Sequence, residues 1–131
     1  MVFLAVALGG AVGAVLRYLL GDAVPDGSGF PWNTFGINVS GSLVLAWLPW
    51  SATVRHRPTL AAGLGPGLLG GWTTLSAYAE QSRVLLDGGQ TATAVAYLIG
   101  TLAACLAAVA LVSSLYAPSA GDEFEAEGGD T

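Results

Sequence analysis

Apolar and polar positions along this 131-residue chain alternate in long blocks, and that rhythm predicts four membrane-crossing segments. Residues 2–20 are an unbroken run of apolar and small side chains closed by Arg17, Tyr18 and Gly21. As a helix the run rises roughly 28 Å, close to the ~30 Å hydrocarbon core of a bilayer. A loop rich in Gly, Pro and Asp (22–31) leads to a second run, 32–50, ended by Pro49 and Ser51. Arg55, His56, Arg57 and Pro58 form a concentrated basic loop. A third run covers 59–86, a turn 87–90, and a fourth run 91–116. Trp32, Trp47, Trp50 and Tyr116 fall near the ends of these runs, where amphipathic rings favour the headgroup level. The expected organisation is a transmembrane domain over 1–116 and an acidic, disordered tail over 117–131.

The third run departs from the others. Gly63, Gly65, Pro66, Gly67, Gly70 and Gly71 crowd its first half. Glycine costs a helix interior about 1 kcal/mol and proline about 3 relative to alanine. The composition therefore predicts two half-helices around an irregular break, or else a glycine-rich packing kink. Irregular backbone at membrane depth is tolerated only against protein or a water-filled cavity, so a break would mark a functional site. Ala5, Gly9 and Gly13 recur every fourth residue in the first run, and Gly100, Ala104 and Ala108 do so in the fourth. Small residues at that spacing let membrane helices approach closely, and several such faces on one short chain point to an oligomer.

Charge sharpens the membrane reading. Only 10% of residues are charged, against about a quarter in a soluble domain. Arg17, Arg55, Arg57 and Arg83 are balanced by Asp22, Asp26, Glu80 and Asp87, so the net charge of −5 belongs to the tail. No basic patch exists to meet nucleic acid. The apolar start lacks a basic n-region, which favours an uncleaved first helix over a signal peptide. Arg55 and Arg57 share a side with both termini, while Arg17 and Arg83 flank the other side. Two against two leaves orientation poorly specified, which favours insertion in both directions. Discounting a buried Arg17 would tip the bias to termini inside. Enzymatic chemistry has no visible carrier: there is no Ser/His/Asp set, phosphate-binding loop or metal-ligand spacing, and Cys105 is alone.

Polar residues inside the runs are the candidate chemistry, because polar groups in lipid usually face a partner or an aqueous path. Thr34, Asn38 and Ser42 share one helical face of the second run. Tyr97, Thr101 and Cys105 share one face of the fourth, and Thr73, Thr74, Ser76 and Tyr78 follow the glycine cluster. Either they line a neutral track of hydroxyls and amides, or they bond neighbouring helices and their own preceding turn. Arg17 either snorkels to the interface or lends positive potential to the mouth of an anion path.

GGAVGAVLRY (9–18), TFGINVSGS (34–42), GGWTTLSAY (70–78) and YLIGT (97–101) resemble, in order, the signature segments of the Fluc/CrcB fluoride channel family. The resemblance touches all four runs. It implies an all-α membrane protein of four transmembrane helices with a broken third, paired as an antiparallel, dual-topology dimer in the plasma membrane. It further implies fluoride pores and a structural sodium ion held by backbone carbonyls, here those of Gly70 and Thr73. Pore residues would be Asn38, with Thr34 beside it, and Thr74, Leu75, Ser76 and Tyr78. Tyr97, Thr101 and Cys105 would form the fourth-helix polar track, and Arg17 the vestibule arginine. The family places two phenylalanines where this chain has Leu75 and Tyr78. Its acid shortly afterwards is displaced, with Gln81 in its place and Glu80 just before.

The expected function is a passive fluoride channel, selective through dehydrating amide, hydroxyl and ring-edge donors rather than a fixed counter-charge. Leu75 favours a second reading, a half-functional or non-conducting subunit of a heterodimer with a homologous chain. A proton-coupled exporter is the third, disfavoured because the first, second and fourth runs carry no deep carboxylate.

Overall fold

The computed structural model describes residues 1–116, and the tail expected at 117–131 lies outside the described residues. The regular elements among those residues are all helical. Helix α1 is Val2–Ala23, and α2 is Trp32–Trp47, continued by a 3-10 turn at Leu48–Trp50 where Pro49 cannot extend the α-helical bonding. Short helices α3 (Ala52–Arg55) and α4 (Pro58–Ala62) carry the basic loop. A π-type helix at Gly63–Leu69 and a single turn, α5 (Gly70–Trp72), lead to α6 (Leu75–Asp87), and α7 is Thr91–Tyr116. The α6–α7 turn needs Gly89, whose φ of 74° a side chain would strain.

The glycine cluster is itself helical, contrary to the expectation of irregular backbone there. Pro66 lies inside it, and a widened π turn accommodates the missing N–H and the bulk of the ring. What offsets the poor propensity is close packing against α1. A Cβ on Gly9 would strike the carbonyl of Gly63, one on Gly13 that of Leu68, and one on Gly71 that of Gly10. The α1 stripe is thus used within the chain. On α7, by contrast, nothing lies within 4 Å of a Cβ placed on Gly100.

Buried apolar residues form two small clusters, Leu48, Val54 and Leu69 at one end and Leu85, Ala94 and Tyr97 at the other. Most large apolar side chains point outward: Phe3 is 90% exposed, Ile99 64% and Leu115 69%. That inverts the pattern of a water-soluble domain. Helices Val2–Ala23 and Thr91–Tyr116 are each long and apolar enough to cross a membrane.

Candidate functional site

The chain leaves helical geometry at Thr73 (φ −71°, ψ 158°) and Thr74 (φ −147°, ψ 114°). Asn38, projecting from α2, holds this junction at two points. Its Oδ1 accepts the Thr74 N–H at 2.8 Å and its Nδ2 donates to the Thr74 carbonyl at 3.1 Å. A side-chain amide carries an acceptor and a donor on two separate atoms, which suits this two-point contact. The helix then restarts because the Thr74 hydroxyl accepts the Ala77 N–H at 3.1 Å, as an N-cap.

The junction releases main-chain oxygens. In a continuous α-helix the Thr74 N–H would serve the Gly70 carbonyl, but it is given to Asn38. Likewise the Ala77 N–H, which would serve Thr73, goes to the Thr74 hydroxyl. The Gly71 carbonyl receives Arg17 Nε at 3.1 Å instead. Carbonyl oxygens freed from helical donors are the kind of ligand a hard cation prefers. Among the described residues no cluster of His, Cys, Asp or Glu offers a competing metal site.

Two cavities meet at Thr74. The inner one, about 290 Å³, is lined by Asn38, Ser42, Thr73, Thr74, Leu75, Tyr78, Thr101 and Cys105, with flanking leucines. Thr101 is 4% exposed, and its hydroxyl is buried without a hydrogen-bond partner among the described residues. An unpaired buried hydroxyl is costly, so its place beside the cavity suits a transient ligand. The outer cavity, about 480 Å³, is lined by Arg17, Asp22, Asp26, Asn33, Thr34, Thr74 and Gln81, among others.

Several sequence-derived site residues move to other roles. Thr34 does not stand beside Asn38 on the inner cavity; it lines the outer one, where its hydroxyl donates to Asp26 Oδ2 at 2.8 Å. Tyr97 lines neither cavity. It is fully buried between Phe30 and Tyr78, where ring packing outweighs the helical spacing that grouped it with Thr101 and Cys105. Its hydroxyl donates to Gln81 Oε1 at 2.8 Å. Ser76 is exposed and touches only the Thr74 hydroxyl, at 3.2 Å. Tyr78 does line the inner cavity, its hydroxyl anchored on the Leu98 carbonyl at 2.7 Å. Leu75 also lines it while remaining 78% exposed. Glu80 faces away, paired with Arg83 at 2.7 Å on the surface.

Asp26 is the residue sequence reasoning missed as a site member; Gln81, noted as standing where the family has an acid, proves to be its partner. Asp26 accepts the N–H groups of Asn33 (2.7 Å) and Thr34 (3.1 Å), capping α2 from the preceding loop. An acid shortly before an apolar run was the available signal, since carboxylates favour helix N-termini.

Apolar helices with apolar outer faces, folded so that polar side chains gather on inner cavities, define a helical membrane protein. The profile described as "CrcB-like protein, Camphor Resistance (CrcB)" matches residues 4–113. The chain belongs to the CrcB family, as its motifs suggested. It is 46% identical over 114 residues to a Nocardia farcinica protein named fluoride-specific ion channel FluC 2, covering 84% of this chain and 81% of that one. Paracoccus denitrificans and Methanopyrus kandleri have relatives named fluoride-specific ion channel FluC. The first is 42% identical, covering 82% of this chain and 87% of its own length. The second is 43% identical, covering 80% and 81%.

Proposed function

We propose that this chain is a subunit of a fluoride-selective channel of the cell membrane that lets the anion leave the cytoplasm passively. The observation that carries the reading is the inner cavity, which is lined by the Asn38-held junction and by Thr101, whose buried hydroxyl has no partner among the described residues. Fluoride is a small, strongly hydrated acceptor. The Thr101 O–H, one fixed donor already inside, replaces part of its lost hydration, and the rim of Tyr78 adds an electropositive ring edge. Arg17 draws anions into the outer cavity while its Nε bond to Gly71 ties the arginine to the junction. Among the described residues no carboxylate lines the inner cavity, which suits passive flow rather than proton coupling.

In this reading the four apolar runs cross the bilayer, the third is broken at Thr73–Thr74, and two copies pair antiparallel. Gly70 is exposed and Thr73 half-buried, which leaves room for a second copy beside them. A hard cation takes several oxygens, more than this pair supplies. Bound sodium would there neutralise the facing carbonyl dipoles and hold the two copies together. Leu75 supports the second reading, a subunit completed by a homologous partner chain, because an exposed aliphatic side chain offers an anion no donor.

Purified protein in potassium-loaded liposomes tests this with a fluoride electrode. Efflux on adding valinomycin, without a proton gradient, supports the channel. Efflux only after a second homologous chain is added supports the partner subunit. Efflux that requires a proton gradient supports an exporter and sinks the channel reading.

A further inference from the structure

We propose that Asp26, a loop carboxylate, is a positioning residue of the ion path, holding the Gln81 amide and the first turn of α2 in the arrangement that shapes the outer cavity beside the inner one. The inference rests on the channel reading above and adds a residue to it. Thr34 and Asn38 stand one turn apart on α2, the first on the outer cavity and the second on the inner. Gln81 and Tyr78 stand in the same relation on α6. The groups bonded to Asp26 therefore sit where the cavities meet.

Asp26 collects donors from three directions. Besides the Asn33 and Thr34 N–H groups, its carboxylate accepts the Thr34 hydroxyl at 2.8 Å and Gln81 Nε2 at 2.9 Å. A carboxylate only accepts, so Gln81 must turn its NH₂ toward Asp26 and its carbonyl away. That carbonyl takes the hydroxyl of Tyr97, which is fully buried and cannot follow if Gln81 moves. The same Nε2 also reaches the Thr34 hydroxyl at 2.9 Å, closing the set. The consequence is twofold. The Gln81 side chain is held in the wall of the outer cavity. The negative charge of Asp26 is also met by donors on several sides rather than presented bare to an anion near Arg17. Removing the carboxylate frees the amide to rotate and releases the 24–31 loop from α2.

Fluoride efflux from liposomes is compared for wild type, Asp26→Ala, Gln81→Glu and the exchange variant Asp26→Asn/Gln81→Glu, with thermal unfolding in detergent alongside. Gln81→Glu sets two carboxylates against each other, whereas the exchange again pairs one carboxylate with one amide. Each single change is expected to slow efflux roughly tenfold or more, in line with losing hydrogen bonds to a charged group. The exchange variant is expected to recover part of that loss and exceed both singles, because an amide again donates to a carboxylate although the Thr34 N–H gives up its Oδ2 acceptor. That recovery is not expected of a residue that only supports the fold. Asp26→Ala conducting like wild type, or an exchange variant no faster than the slower single, would overturn the proposal. Wild-type vesicles that pass no fluoride would overturn the channel reading, and this one with it.

Discussion

The seam between α1 and residues 63–72 and the junction at Thr73–Thr74 are neighbours in sequence built on opposite principles. At the seam, glycines remove side chains so that backbone lies against backbone. At the junction, backbone is pulled out of the helix and bonded by a side chain, leaving a cavity beside it. The seam leaves no room for a single added carbon at Gly9, Gly13 or Gly71. The junction is polar and keeps a buried hydroxyl unpaired. The difference teaches how a small membrane chain makes a rigid opening. One half of the third segment is fixed by close packing, so that the other half can depart from helix without loosening the whole.

The largest effect expected within this comparison is at the seam. Gly13→Ala places a methyl group on the Leu68 carbonyl and should destabilise the chain by about 1–3 kcal/mol through overpacking, read as lowered thermal unfolding in detergent. Gly100→Ala, with open space around it, should leave unfolding of the single chain unchanged. An equal loss at both positions would break the contrast. A smaller effect, with opposite signs in two measurements, is expected at the junction. Thr101→Val removes the unpaired hydroxyl and should raise stability by about 1 kcal/mol. It should also slow fluoride efflux roughly tenfold, the rate equivalent of one lost hydrogen bond. Stability and efflux falling together would make Thr101 a packing residue. The smallest effect lies outside both regions. Glu80→Gln removes a surface ion pair with Arg83 and should change neither unfolding nor efflux, because exposed pairs contribute little.

Helix α7 was legible to its ends in the apolar run 91–116, because nothing inside that run competes with helix formation. The glycine cluster was misread because intrinsic propensity describes an isolated helix, and the α1 backbone that offsets its cost is remote in sequence. Asn38, Thr74, Thr101 and Cys105 were legible as polar residues in apolar runs, and the structure brings them to one cavity. Tyr97 shares their helical spacing but is turned into the core by aromatic neighbours that spacing cannot reveal. Asp26 escaped notice because it is ordinary in its own segment, and the substitution at Gln81 did not reveal its partner. Their significance arises from hydrogen bonds spanning 55 positions of chain.

In the proposed channel the Asn38-held junction forms the ion path. Fluoride efflux from liposomes bearing Asn38→Ala, against wild type at equal protein, tests it most directly. The substitution strips both partners from the Thr74 backbone, leaving two groups unpaired at about 1–3 kcal/mol each. The account predicts that efflux falls by roughly a hundredfold or more, as a loss of that size implies. Efflux from Asn38→Ala vesicles equal to wild type would contradict it.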